Sequence, residues 1–175
     1  MPSSPPRYRV AISDQQSTLD IDRAWVRKVV RRALKDEAVA SAEISIAIVD
    51  DTEMRELNRR HLNHDYETDV LSFVLEVTRT DGADNSAPAG DSASAPPRRG
   101  RGLRIEGEII VSTDTAAREG PLHGWSAEHE LTLYLVHGLL HLCGYDDKTG
   151  KELSRMRTRE AEILKFFGLT PHYTS

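Results

Sequence analysis

The chain has 175 residues with 23 Lys plus Arg and 28 Asp plus Glu, so its formal net charge is −5. The length is that of one domain with its own core, and the acidic balance argues against coating nucleic acid by bulk charge. A single Cys excludes a disulfide scaffold, and the absence of a long apolar run or a signal-peptide core predicts a cytoplasmic protein without a membrane span.

Hydrophobic periodicity divides the first part of the chain into strands and helices. Residues 1–6 are rich in Pro and Ser and predict a disordered start. The apolar residues at 22–36 recur at helical spacing, which predicts an amphipathic helix capped by Asp20 or Asp22. A short helix is predicted after Asp50, which forms a capping box with Glu53. Strands are predicted around Tyr8–Ile12 and at 44–48, 70–77 and 108–112.

Between the third and fourth strands, residues 80–102 read TDGADNSAPAGDSASAPPRRGRG. This segment has no aromatic residue and no aliphatic residue larger than Ala, so it cannot bury enough surface to offset its ordering entropy. We therefore expect a disordered insertion within one domain that spans residues 1–175.

The last third of the chain predicts two helices. The first follows Ser126 and is apolar around most of its surface, so we expect it to be buried on several sides. Gly144 suits the left-handed position that ends this helix, and the capping box Thr149-x-x-Glu152 opens the final one. The element order predicts an α+β fold, with a mixed four-stranded sheet covered by helices.

The first of these helices contains two histidines at a spacing that metal sites use. His137 and His141 lie one turn apart on one face, and both imidazoles can therefore reach one cation at about 2.0–2.1 Å. Gly144 allows a chain reversal that can bring Asp147 back as a third ligand. Three protein ligands leave a position for water, whose pKa the metal lowers toward neutrality.

The spacing His-x3-His-x2-Gly-x2-Asp resembles the zinc motif of metzincin-like proteases. Those proteases carry a Glu general base directly after the first histidine, where this chain has Gly138. Peptide hydrolysis by that mechanism is therefore disfavoured, and an incidental HxxxH pair remains the structural alternative.

The whole stretch HGLLHLCGYDD, residues 137–147, resembles the signature of the YbeY family, whose common form is His-Gly-x-Leu-His-Leu-x-Gly-Tyr-Asp-His. Other segments match in the family's order: TDVLSF at 68–73, GEIIVS at 107–112, and Met156-x-x-x-Glu160 near the end. The resemblance spans residues 45–168 apart from the insertion. Several motifs in one order are more specific than any single one.

The resemblance implies a zincin-like fold with one zinc ion, and a single-strand-specific endoribonuclease acting in 16S rRNA 3′-end maturation and ribosome quality control. His137 and His141 match two family ligands, whereas Asp147 stands where the family has His. We expect Asp147 to bind the metal, but as an anion it makes the cation a weaker Lewis acid. Leu62, four residues after Asn58, replaces an Arg that contacts phosphate in the family.

Basic residues on two predicted helices supply a candidate RNA-binding face, with a solvated helix face as the alternative. They are Arg23, Arg27 and Arg31 at four-residue intervals on one helix, and Arg59 and Arg60 on the next.

Several other side chains are interpreted as structural. Cys143 is expected to be a buried core residue, Asp146 to serve the turn or orient a ligand, and Asp69 to cap or pair at a strand start. His61, His64 and His123 are expected at the surface or in loops.

Three functional hypotheses follow. The first is a hydrolase of single-stranded rRNA that uses one Zn²⁺, or another divalent cation, and acts on the small ribosomal subunit or its precursor. The second is a ribosome-assembly RNA-binding protein whose metal is mainly structural. The third is a zinc peptidase, which Gly138 disfavours. Neither a general base nor an oligomeric state can be assigned.

Overall fold

Four strands and five helices make up the part of the chain that the structure, a computed structural model, describes: residues 4–63, 68–80 and 98–173. The strands are β1 (Arg7–Asp14), β2 (Ser41–Val49), β3 (Val70–Arg79) and β4 (Leu103–Ser112). The helices are α1 (Arg23–Asp36), α2 (Asp51–Leu62), α3 (Thr113–Leu122), α4 (Ala127–Leu142) and α5 (Gly150–Lys165).

The predicted strands and four of these helices are confirmed, but α3 is absent from the sequence-based prediction. Its sequence, TDTAAREGPL, contains Gly and Pro and lacks an apolar stripe, so hydrophobic periodicity does not predict a helix there. It begins directly where β4 ends, capped by the Ser112 side chain, which accepts a hydrogen bond from the Thr115 amide. The predicted caps of α1, α2, α4 and α5 are correct, with Asp22 rather than Asp20 capping α1.

The strands form one mixed sheet in the order β1-β2-β4-β3. β1, β2 and β4 run parallel, and β3 runs antiparallel to β4 at one edge. This arrangement confirms the predicted α+β fold with a mixed sheet.

The main core lies between one face of the sheet and helices α1, α4 and α5. Because side chains alternate along a strand, Ile109 of β4 belongs to this core, whereas Ile110 faces the other side with Met54 of α2. Beyond α2 that second face is polar and includes exposed Arg9 and Glu43. Helices therefore cover one face well and the other only at one end. No helix within the described residues is long and apolar enough to cross a membrane.

The described chain extends into the predicted insertion from both sides. The Thr80 amide donates to the Gly102 carbonyl at 2.9 Å, and the Arg101 amide donates to that of Arg98 at 3.2 Å. Residues 98–102 thus form a hydrogen-bonded turn, against the expectation of disorder there. Residues 81–97, where most of that expectation falls, lie outside the described residues, as do residues 1–3 and His64.

Candidate metal centre

Helix α4 is built to hold two histidines at the edge of the core. The Ser126 side chain accepts a hydrogen bond from the His129 amide. Acidic residues occupy the first turn, near the positive end of the helix dipole. Most of the following residues are buried, which fixes the helix against the sheet. His137 and His141 lie on the one side that remains partly open, with side chains 25% and 26% exposed.

The loop after α4, residues 143–149, returns Asp147 to the same side. Gly144 has φ +98°, a left-handed backbone conformation that residues other than glycine rarely adopt, and the chain reverses there. The Asp146 carboxylate accepts hydrogen bonds from the amides of Asp147 at 2.8 Å and Lys148 at 3.3 Å. Asp146 therefore serves the turn, which is one of its two expected roles.

The three side chains converge. Nε2 of His137 lies 3.1 Å from Nε2 of His141, and Oδ2 of Asp147 lies 3.6 Å from each of them. Ligand atoms at about 2.0–2.1 Å from a tetrahedral cation lie about 3.3 Å apart, so this triangle has the size of a metal site. The side chains grouped by sequence spacing do lie together, and their role as ligands remains a prediction.

The far nitrogen of each imidazole has its own acceptor. Nδ1 of His141 lies 3.0 Å from the Tyr145 carbonyl, and Nδ1 of His137 lies 2.5 Å from Oε1 of Glu160. A proton held at Nδ1 leaves the Nε2 lone pair directed at the centre of the triangle. These two contacts orient both rings for a cation.

Glu160 also sets the charge around His137. Burial acts to lower the pKa of His137, but the hydrogen bond and negative charge of Glu160 outweigh it, and the pKa lies above its ordinary value. The sequence pattern contained Glu160 only as the end of Met156-x-x-x-Glu160. Glu160 follows the buried Met156 by one helical turn, so both lie on the inner face of α5. An acidic residue on that face is the sequence signal that could have predicted a buried partner for a histidine.

A buried ionic network lies beneath the loop. Glu37, at the carboxyl end of α1, is fully buried and accepts hydrogen bonds from Nε of Arg159 at 2.7 Å and from the Tyr145 hydroxyl at 3.0 Å. The Gly100 amide donates to the same carboxylate at 3.2 Å. Because Tyr145 also offers its carbonyl to His141, this network fixes a residue that orients a candidate ligand.

Gly138 points away from the metal centre. A Cβ built at this position would lie 2.9 Å from Cγ2 of Ile109 and 3.1 Å from Cγ2 of Val70. The position after the first histidine therefore faces the sheet, and a Glu there would collide with the core instead of reaching a substrate. The geometry strengthens the case against a peptidase.

The remaining side chains interpreted as structural agree with those interpretations where the structure describes them. Cys143 is buried, as expected, at 1% exposure. Asp69 accepts the Val70 amide at 2.8 Å, a contact at the start of β3. Leu62 ends α2 and is 45% exposed. His61 and His123 are exposed, although His61 lies in the last turn of α2 and not in a loop.

The five arginines proposed to bind RNA lie on helices α1 and α2. Arg59 and Arg60 are exposed and both pair with Glu56, at 2.6 Å and 2.9 Å. On α1, Arg23 and Arg31 are exposed and Arg27 is half-buried. Their interaction with RNA remains a prediction.

Fold and site together define an α+β domain with a candidate three-ligand centre of the kind that metal-dependent hydrolases use. A family model described as Endoribonuclease YbeY matches residues 11–168. The chain belongs to the YbeY family.

Curated relatives agree over nearly the full length. The chain is 35% identical to Endoribonuclease YbeY of Salinibacter ruber over 162 residues, covering 91% of this chain and 94% of that protein. It is 37% identical to Endoribonuclease YbeY of Bacillus licheniformis over 161 residues, with the same coverage of 91% and 94%. A solution structure from Thermotoga maritima has the same fold, with a TM-score of 0.52 at 19% identity over 95% of this chain and 96% of that one.

Proposed function

We propose that this protein is a metal-dependent endoribonuclease that cleaves single-stranded RNA at the centre formed by His137, His141 and Asp147. The observation that carries the proposal is the triangle of Nε2, Nε2 and Oδ2 atoms, with edges of 3.1, 3.6 and 3.6 Å, on a partly open side of α4. Membership in a family described as endoribonucleases supports the reaction class.

The chain's own residues prepare this centre. Glu160 and the Tyr145 carbonyl hold the Nδ1 protons, so that both Nε2 atoms can bind one Zn²⁺ ion. Asp146 fixes the turn that presents the Asp147 carboxylate. A bound cation of this kind supplies a Lewis acid for a phosphate oxygen and lowers the pKa of water.

The substrate we propose is the 3′ end of precursor 16S rRNA, bound in the small ribosomal subunit or its precursor. We propose that cleavage takes place in the cytoplasm and also serves ribosome quality control. A chain of net charge −5 needs a local basic face to hold RNA. Arginines on α1 and α2 are the candidates, since Leu62 offers no charge. RNA affinity should fall steeply as salt rises, and an affinity unchanged between low and high salt would remove this face from the proposal.

The test compares wild type with His141→Ala and His129→Ala. His129 lies on the same helix but is exposed and outside the group of ligands, so it is a matched control. We expect wild type and His129→Ala to bind one equivalent of Zn²⁺ and to cleave a single-stranded RNA but not its duplex. His141→Ala should lose both properties.

Two outcomes would overturn the proposal. Equal cleavage by wild type and His141→Ala would indicate a contaminating nuclease. Tight binding of wild type to small-subunit particles, with metal bound but no cleavage, would favour the assembly protein with a structural metal.

A further inference from the structure

One arginine from the end of the insertion contacts the loop that carries Asp147. Nη1 of Arg99 donates to the Gly144 carbonyl at 2.9 Å, and Nη2 donates to Oε1 of Glu152 at 3.0 Å. Nη1 also lies 2.7 Å from Oε2 of Glu152. Gly144 precedes Asp147 and Glu152 follows it, so one guanidinium bridges the two sides of the loop.

Arg99 also covers Tyr145. Its guanidinium carbon lies 5.2 Å from the centre of the tyrosine ring, and its amide donates to the tyrosine hydroxyl at 3.4 Å. The carbonyl of the same tyrosine accepts from Nδ1 of His141. Arg99 thus contacts the residue that orients one candidate ligand and brackets the segment that presents another.

These contacts are better placed than an ordinary surface ion pair. The side chains of Arg99 and Glu152 are 29% and 25% exposed. The guanidinium donates one hydrogen bond to Oε1 of Glu152, and the second carboxylate oxygen lies within ion-pair distance of it. A charge-assisted hydrogen bond between half-buried groups is stronger and more directional than a contact between flexible exposed chains. The pair lies next to Gly144, where the backbone has φ +98° and an added Cβ would meet no atom within 4 Å. Side-chain packing therefore does little to hold the loop at this point.

We propose that Arg99 is a positioning residue that holds the loop 143–149 in the conformation in which Asp147 faces His137 and His141. The inference rests on the proposed metal centre. The contacts of Arg99 are to Gly144, Tyr145 and Glu152, and it acts through these residues. In this chain the end of the insertion is therefore a structural part of the metal centre.

The test measures Co²⁺ binding to full-length protein, by chelator competition and by the visible absorption of the bound ion. Arg99→Gln removes the guanidinium charge, Arg99→Lys keeps a positive charge without the planar guanidinium that contacts both Gly144 and Glu152, and exposed Arg98→Gln is the matched control. We expect affinity about 10-fold weaker and an altered spectrum for Arg99→Gln, with partial recovery in Arg99→Lys. Arg98→Gln should resemble wild type, and Glu152→Gln, which breaks the pair from the other side, should resemble Arg99→Gln.

The outcomes separate this inference from the proposed function. If wild type binds Co²⁺ and Arg99→Gln binds it equally tightly with the same spectrum, Arg99 does not position the loop. If Arg99→Gln does not fold, Glu152→Gln decides in the same way. If wild type binds no Co²⁺, the metal centre itself is wrong, and this inference fails with it.

Discussion

Oε1 of Glu160 lies 2.5 Å from Nδ1 of His137, and the Glu160 side chain is buried, with only 3% of it exposed. A buried carboxylate is costly without a partner, so the packing of α5 against α4 depends on this contact. The same contact directs Nε2 of His137 toward Asp147 and His141. Fold stability and the geometry of the candidate metal centre are therefore coupled through one hydrogen bond.

Replacing Glu160 with Gln tests this coupling. The amide oxygen of Gln can still accept a hydrogen bond from Nδ1 of His137. The substitution removes the negative charge, however, and this charge favours a proton on Nδ1 and makes the imidazole a stronger ligand. We expect Zn²⁺ affinity to fall by about 10–100-fold, measured by competition with a chromophoric chelator. The matched control is Glu128→Gln, an exposed acid in the first turn of α4, which should leave the affinity unchanged. Equal affinities for wild type and Glu160→Gln would show that Glu160 is a structural acid only.

Gly138 is expected to tolerate no side chain. The Cβ of Gly138→Ala would lie 2.9 Å from Ile109 and 3.1 Å from Val70, both held in the sheet. We expect the free energy of unfolding, from urea titration, to fall by about 1–3 kcal/mol. Gly138→Glu should be more destabilised and should gain no peptidase activity.

The control for this overpacking is Gly150→Ala in the first turn of α5, where an added Cβ meets nothing within 4 Å. That substitution should be neutral or stabilising by up to about 1 kcal/mol. Gly138→Ala should also cost less in an Ile109→Ala background, because the clashing methyl group is gone. An equal cost in both backgrounds would show that the contact with Ile109 is not the cause of the loss.

Asp51 predicts an acid-sensitive link between α2 and α3. Burial acts to raise the pKa of Asp51, but hydrogen bonds from Ser112, Arg118 and Thr115 outweigh it and hold the pKa below its ordinary value. A carboxylate with a lowered folded-state pKa stabilises the fold above its unfolded pKa of about 3.9, and the contribution is lost as pH falls through the folded value. We expect Asp51→Asn to cost roughly 2 kcal/mol in free energy of unfolding at pH 7 and a smaller amount at pH 3, which lies below the unfolded pKa.

Urea titrations of both proteins at the two pH values measure this difference. The control is Asp50→Asn, since Asn caps a helix as well as Asp does, and it should change stability by only a few tenths of a kcal/mol. A deficit for Asp51→Asn that is the same at both pH values would contradict the charge-based explanation.

Cys143 should be unreactive in the folded protein. Burial, with a further contribution from the negative charge of Glu37, raises the pKa of the Cys143 thiol, so almost no thiolate is present at neutral pH. We expect a disulfide reagent such as DTNB to label it orders of magnitude more slowly in buffer than in denaturant. Leu122→Cys in a Cys143→Ala background provides an accessible standard, since Leu122 is 74% exposed. Labelling of native Cys143 at the rate of that standard would contradict the buried assignment.

The sequence predicts the parts of this site that are local in the chain. His137, His141 and Asp147 lie within eleven residues, and helical spacing plus one glycine suffices to bring them together. Their supports do not follow from local pattern. Glu37 meets Arg159 across 122 residues and Tyr145 across 108, and Arg99 reaches Gly144 across 45. Glu37 and Arg159 are charged residues that are buried, Arg99 is half-buried, and these placements follow only from tertiary packing. Helix α3 lacks an apolar stripe, so it does not follow from local pattern either.

Asp147 is the candidate ligand at which this chain departs from the family signature, and two substitutions of it have different expected outcomes. Asp147→Asn replaces the anion with a weak neutral ligand, and Zn²⁺ affinity should fall, as measured by chelator competition. Asp147→His restores the residue of the family signature and should keep the metal, but a neutral imidazole leaves the cation a stronger Lewis acid. The acidic limb of the pH–activity profile of Asp147→His should therefore lie at lower pH than that of wild type.

Asp147 is suited to this comparison because its side chain is 41% exposed and the turn is held by the Asp146 carboxylate and not by Asp147 itself. Both variants should unfold near the wild-type urea midpoint in the absence of metal, so that changes in activity report on the centre. Superimposable pH–activity profiles for wild type and Asp147→His would mean that the charge of the third ligand does not tune the reaction. The departure from the family signature would then be chemically neutral.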